Sequence, residues 1–252
     1  MVENLRQSEI LNIARKDGRV TVDQLSRLFQ TSAQTIRKDL TDLAEGGQLK
    51  RVHGGAILPS GVSNIEYEDR SKLNRDAKAD IARACAEDIA DGASLFLNIG
   101  TSTEAVARAL LNHRSLMVVT NNLNIANILS ANPGCEVMVA GGVLRRSDGG
   151  LVGALTTQMI RQFKFDIAVI GCSALDSDGD ILDFDLQEVG VSRAIIEQAR
   201  RTFLVADHSK FDRTAPVRIA SMSEVDAFYT DALPPNPLGA KLRDWGTAIR
   251  TV

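Results

Sequence analysis

Two sets of side chains in this 252-residue sequence have types and spacings suited to chemistry. The first runs from Ser32 to His53. At 100° per residue, Gln34, Lys38 and Thr41 fall opposite the apolar arc of Ile36, Leu40 and Leu43, with Thr35 and Arg37 on the two flanks. Arg and Lys reach guanine edges or phosphates, Gln can bond an adenine edge in two places, and Thr offers a hydroxyl or a methyl. Ser32 stands where its hydroxyl would cap that helix. Lys50, Arg51 and His53 follow a Gly46-Gly47 stop and would sit near phosphates rather than bases. A charged helix face is usually only solvated, so the weight rests on cap, turn and basic hairpin occurring in order. The expected partner is double-stranded DNA.

The second set suits an anion. Gly100-Thr101-Ser102-Thr103 follows an apolar run and opens a helical pattern, which offers free backbone N–H groups, hydroxyls and a helix N-terminus to a phosphate. Thr120-Asn121-Asn122 and Gly141-Gly142 stand in equivalent places after the next two apolar runs, and Lys210 follows a later one. Each alone reads as an N-cap, a turn or a surface lysine. Recurrence at one edge of a sheet favours a phosphorylated ligand.

The elements that must position these groups are legible in outline. Ile10, Ile13 and Ala14 mark a helix over about residues 3–17, stopped at Gly18. Thr21 and Gln24 form a capping pattern ahead of Val22, Leu25, Leu28 and Phe29, a short second helix. Ser32 opens the third. Residues 49–58 then read as a β-hairpin around His53-Gly54-Gly55, so residues 1–58 are predicted to be a winged helix-turn-helix. A linker follows over residues 59–74, opening on Pro59-Ser60-Gly61.

Residues 75–252 alternate helical patterns, the first over residues 77–90, with apolar runs at 95–99, 116–120, 137–140, 167–171, 202–206 and 227–230. Such alternation predicts an α/β domain, a parallel sheet with helices on both faces and ligands at the strands' carboxyl ends.

Composition fits this division. The chain is 44% apolar and 24% charged, an ordinary globular balance that excludes disordered and collagenous classes. Residues 1–58 hold nine Lys/Arg against seven Asp/Glu, a balance of +2, which leaves −5 of the total −3 to the rest. A mildly basic head on an acidic body suits a DNA-reading module joined to a domain that does not touch DNA. Cys85, Cys135 and Cys172 are odd in number and far apart, and His53, His113 and His208 have no second ligand at metal spacing. Neither a disulfide nor a metal site is expected. No apolar run approaches the ~20 residues that cross a bilayer, and the first residues are polar, so a cytoplasmic protein without a membrane partner is expected.

Residues 19–58 resemble the N-terminal module of the DeoR family of bacterial repressors. The likeness is carried by Thr35-Ile36-Arg37-Lys38-Asp39-Leu40, Leu43, Gly47, Leu49, Arg51 and His53-Gly54-Gly55-Ala56. The family commonly has a second Arg where this chain has Lys38, which trades a planar fork for a point charge. The remainder is similar to the family's sensor domain, carried by Thr103-Glu104-Ala105-Val106-Ala107, Thr120-Asn121-Asn122-Leu123-Asn124, Ala140-Gly141-Gly142, Asp148-Gly149-Gly150 and Asp207-His208-Ser209-Lys210-Phe211. Ser102 stands where the family often has Thr and keeps the hydroxyl.

The resemblance implies a sensor fold like ribose-5-phosphate isomerase and the coenzyme A transferases, a homo-oligomer, and a repressor released from operator DNA by a phosphorylated small molecule. Within the family the likeness is strongest to the branch that answers glycerol 3-phosphate. The isomerase-like fold that the resemblance implies brings Asp183, Asp185 and Glu188 into play with Lys210, and isomerisation needs a base within reach of a C–H made acidic by a neighbouring carbonyl. Glycerol 3-phosphate has no carbonyl, so the carboxylates would bind hydroxyls or orient neighbours; neither catalysis nor a cofactor is expected. A repressor answering another sugar phosphate, such as a tagatose or fructose derivative, is the nearer alternative, and the isomerase the remoter one.

Overall fold

The computed structural model describes residues 5–17, 19–46, 48–57 and 67–252, which divide into two compact units, Met1–Arg75 and Asp76–Val252. In the first unit α1 (Leu5–Asp17) is followed by β1 (Arg19–Thr21), α2 (Val22–Leu28), α3 (Ala33–Glu45), β2 (Lys50–Val52) and β3 (Gly55–Ile57), then α4 (Tyr67–Lys72). The Thr21 hydroxyl accepts the Gln24 N–H at the start of α2, and the Ser32 hydroxyl accepts the Thr35 N–H at the start of α3. Each cap satisfies a donor that the first helical turn leaves over. Ile10, Ala14, Leu25, Ile36 and Leu40 are fully buried and, with Leu11, Val20 and Leu43, form a core from one face of each helix.

The wing is three-stranded, in the order β1-β3-β2, all antiparallel. β1 is too short to show an alternation in sequence. Its pairing explains Gly55: a Cβ there would collide with the Val20 carbonyl oxygen, so only glycine lets β3 lie against β1. Two expectations change. The hairpin gains a third strand, and the stretch read as linker contains the helix α4, which groups with the first unit. Gly18, Gly47, Leu58 at the end of the predicted hairpin, and the start of that linker, residues 59–66, lie outside the described residues.

The second unit opens with α5 (Arg75–Glu87), whose first residue is the last of the first unit. It continues with β4 (Ser94–Leu97), α6 (Thr101–Ala109), β5 (Leu116–Thr120), α7 (Leu123–Leu129) and β6 (Cys135–Val139). After a hairpin of β7 (Val143–Arg145) and β8 (Gly150–Val152) come α8 (Ala154–Ile160) and β9 (Phe165–Ile170). β10 (Ala174–Leu175), β11 (Asp180–Asp183), α9 (Leu186–Gln198), β12 (Ala199–Val205), β13 (Val217–Ser221), β14 (Ala227–Thr230), α10 (Leu238–Trp245) and β15 (Ala248–Thr251) complete it.

Seven strands form one parallel sheet, β15-β14-β12-β9-β4-β5-β6, and β10, β11 and β13 form a small antiparallel sheet of their own. Alternate residues of each strand enter separate cores: Leu95, Leu97, Ile167, Val169, Phe203 and Tyr229 pack on one face, Phe96, Ala168, Ile170, Leu204 and Phe228 on the other. Both faces are covered, which is why these strands read as unbroken apolar runs.

Successive strands step outward from β4 in one direction and from β9 in the other. The crevice at the carboxyl ends of β4 and β9 is therefore the topological switch point, the usual ligand position in open α/β sheets. The sequence pattern placed six of the seven strands, all but the edge strand β15, and missed the hairpin, the antiparallel sheet and α10.

Candidate functional site

In the first unit α3 carries the polar face. Gln34, Arg37, Lys38 and Thr41 are exposed, and Thr35 is half-buried. Three of the hydrogen-bonding groups are already engaged within the unit: the Thr35 and Ser32 hydroxyls pair with each other at 2.9 Å, and Thr41 Oγ1 donates to the Arg37 carbonyl at 2.8 Å. Their hydroxyls set the helix start and cover its backbone, which leaves Gln34, Arg37 and Lys38 as the exposed side chains with reach. On the wing Lys50 and His53 are exposed, whereas Arg51 Nη1 donates to the Gly55 carbonyl at 3.0 Å and ties the hairpin together. Asp39, buried on the inner side of α3, accepts two bonds from Arg6 of α1, 2.6 Å from Nε and 3.2 Å from Nη2. That clamp fixes the roll of α3.

In the second unit a group of buried cations gathers beyond the carboxyl end of the sheet. Lys210 lies in a 3-10 turn, His208–Lys210, after β12, capped by Asp207. Burial, then the nearby Arg213 and Lys78, pull the Lys210 ammonium down to about 7, and Asp207 pulls the other way. Cys172, in the loop after β9, is a neighbour whose thiol burial pushes up to about 12. The turn is pinned from outside by Asp231, which accepts the His208 backbone N–H at 2.7 Å and pairs with its Nδ1 at 2.6 Å. Two buried cations that disfavour the charged form of Lys210 are what an anion would offset.

A second polar group lies next to it. Arg145, at the end of β7, pairs with Asp148 (2.7 Å), Asp185 (2.8 Å) and Glu188 (2.6 Å). Burial, then Asp183, lift the Glu188 carboxyl to about 7 although Arg145 opposes the shift. Asp183 also accepts the Ser173 hydroxyl at 3.0 Å and acts on Cys172, so it links this group to the cations. Asn98, at the end of β4, donates to Ser192 at 2.8 Å, one helical turn along α9 from Glu188.

The residues expected to hold a phosphate divide accordingly. Gly100, Thr101 and Ser102 remain at the start of α6, with Gly100 as N-cap. Thr103 Oγ1 donates to the Asn98 and Gly100 carbonyls (2.7 and 2.8 Å), and Thr120 Oγ1 donates to the Leu97 carbonyl (2.7 Å), so both hydroxyls shape loops instead of facing a ligand. Asn122 caps α7 and donates to Glu104. Gly141 accepts the Thr156 hydroxyl, and a Cβ on Gly142 would collide with it, so this pair allows a close loop-to-helix approach. Asn121 and Lys210 are both buried.

Lys78, Arg213 and Arg145 were missed. Lys78 had a signal, since it shares the apolar face of α5 with Ile81, Ala82 and Cys85. Arg213 and Arg145 lie in polar stretches that give none.

Residues 6–62 match the DeoR-like helix-turn-helix domain and residues 73–232 the DeoR C-terminal sensor domain. The chain belongs to the DeoR family. It is 48% identical over 235 residues to the glycerol-3-phosphate regulon repressor of Escherichia coli K12, covering 93% of each chain. It is 46% identical over 234 residues to the repressor of the same name from Haemophilus influenzae, covering 93% of this chain and 91% of the relative. The transcriptional repressor CsqR of E. coli is 40% identical over 241 residues, covering 96% and 92%.

Among solved structures, the ribose 5-phosphate isomerase A of Methanocaldococcus jannaschii aligns with a TM-score of 0.41 at 13% identity over 55% of each chain. This DeoR-type helix-turn-helix repressor combines the family's DNA-reading module with its sensor domain, as the two family matches show. No described helix is long and apolar enough to cross a membrane.

Proposed function

We propose that this DeoR-family repressor binds operator DNA through α3 and the wing and is released by a phosphorylated small molecule, glycerol 3-phosphate first among candidates. The observation that carries the sensor half is the convergence of buried Lys78, Lys210 and Arg213 beside the switch-point crevice. A phosphate there would be held by these cations and by the N–H groups at the start of α6. Glycerol 3-phosphate is favoured because two relatives covering nearly the whole chain are glycerol-3-phosphate regulon repressors.

In the head, Gln34, Arg37 and Lys38 are read as base-contacting or groove-lining side chains, with Lys50 and His53 toward phosphates. A homo-oligomer places two such heads on a palindromic operator. The protein acts as a regulator in the cytoplasm and not as an isomerase, because the proposed inducer offers no carbonyl for a base to work against. An operator mobility-shift titration with and without glycerol 3-phosphate tests both halves. Tight binding that the ligand releases is expected; binding indifferent to the ligand would sink the inducer assignment.

A further inference from the structure

Four large apolar side chains of the sensor unit stand in solvent at one end of its helical layer. Val143 and Leu144 lie on β7, Leu155 in the first turn of α8 and Leu186 at the start of α9. Val143, Leu155 and Leu186 are 68%, 70% and 73% exposed. The elements that carry them adjoin. α8 and α9 lead into β9 and β12, which pair in parallel, so both helices run the same way from the carboxyl edge of the sheet. Arg161, just past α8, reaches Glu197 of α9 at 3.6 Å, and Arg145 ties the β7–β8 hairpin to Asp185, the neighbour of Leu186. Apolar surface gathered in this way marks an interaction site, which single exposed leucines do not.

Gly190 lies on the same face of α9 as Leu186, one turn further on. It is exposed, and a Cβ there would meet nothing within 4 Å. Among the described residues nothing requires glycine at this position, although glycine in a helix interior lowers stability relative to alanine. A bare helix position does permit the close approach of a second backbone.

The charge of the surroundings selects the partner. Residues 76–252 hold 17 Lys/Arg against 22 Asp/Glu, a balance of −5, so two sensor units pair most readily through a face without charge. Leu155, Gln158, Leu186, Gln187 and Gly190 provide one, all exposed and none charged. The Arg145–Asp185 and Arg161–Glu197 pairs at its borders cancel, and Arg193 turns its guanidinium onto the Ile219 and Arg218 carbonyls at 2.9 and 3.2 Å. A knob at Leu186 and a hollow at Gly190 on one helix also match each other across a two-fold axis, the geometry by which a surface binds its own copy.

We infer that the outer face of α8 and α9, extended by β7, is a two-fold interface between the sensor units of two copies of this chain, with Leu186 of one copy packed against Gly190 of the other. This rests on the homo-oligomer proposed above and names the surface that makes it.

Analytical ultracentrifugation of the full-length protein at micromolar concentrations, beside Leu186→Glu, Gly190→Gln and Leu233→Glu, tests the inference. The first variant places a charge in the apolar centre and the second fills the hollow. Each should weaken association about thirtyfold or more, so that the assembly falls to half its wild-type mass or less. Gly190→Gln replaces a helix-weakening residue by a better helix former, so its loss of mass reports the interface and not unfolding. Leu233, comparably exposed ahead of α10 and outside this face, is the control, and Leu233→Glu should keep the wild-type mass.

Unchanged mass in either folded variant, Leu186→Glu or Gly190→Gln, would leave the face to another partner and overturn the inference while the homo-oligomer stands. A wild-type chain that is monomeric throughout overturns both readings. If neither variant folds, hydrogen exchange of the wild type decides: α9 amides should lose protection on dilution to monomer, and protection that does not change with concentration sinks the interface.

Discussion

Lys210 is the residue on which the sensor's chemistry can be tested by pH. Burial and then the two neighbouring cations hold its ammonium at about 7 in the free protein. A phosphate dianion favours the protonated form, so binding above pH 7 takes up a proton. Inducer affinity therefore falls as pH rises through 7, by up to about tenfold per unit. Below about pH 6 the ligand's own phosphate protonates, which sets the acid side of the profile. Lys210→Arg, charged throughout this range, should flatten the alkaline limb in calorimetric titrations from pH 6 to 9; a limb of unchanged slope would remove Lys210 from the phosphate. In the head, Arg37→Ala or Lys38→Ala should weaken operator binding by ~1–3 kcal/mol where the side chain reads a base, measured by fluorescence anisotropy on the operator. Unchanged affinity excludes that residue from the groove.

At the scale of elements, α3 owes its presented face to packing on its hidden one. Ile36, Leu40 and Leu43 seat it in the core, and the Arg6–Asp39 pair fixes its roll. Asp39→Ala should destabilise the full chain's head by ~1–3 kcal/mol, the range for bonds to a charged group, as read from urea denaturation. Operator affinity should drop with it although Asp39 is buried and turned away from the exposed face. Undiminished operator binding would show that the core alone sets the helix.

These helices were legible because caps and 3.6-residue periods are local signals. Ser32, Thr21 and the Ile36-Leu40-Leu43 arc announce α2 and α3 without reference to anything distant. β1 and β15 were not legible, since β1 has three residues and β15 is largely exposed, so neither shows an apolar run and each is defined by the partner it finds, here β3 and β14.

The whole molecule joins two units with separate cores, so ligands of each should act on separate transitions. In differential scanning calorimetry, glycerol 3-phosphate at about 100 times its Kd should raise the sensor transition by the equivalent of ~2.7 kcal/mol, leaving the head transition in place. A shift of the head alone would contradict the assignment of the ligand to the sensor. Operator affinity should fall steeply between about 50 and 200 mM salt through counterion release, and a flat dependence would remove the wing from the phosphate backbone.

The sequence by itself determined the three helices of the head, six strands of the parallel sheet, the polar face of α3 and the loops at the sheet's carboxyl edge, because each follows from neighbours a few residues away. It also marked Asn121 and Lys210. Tertiary structure alone decided which of the flagged side chains were left to act: Thr103, Thr120 and Asn122 spend their polar groups on nearby backbone and side chains, and Arg51 ties its own hairpin. It also brought Lys78 and Arg213 to Lys210, and Arg145 to Glu188, across separations that no local pattern encodes. Charge and hydrogen bonding act through space, so the cation group and the Arg145 cluster exist only once the strands are in register.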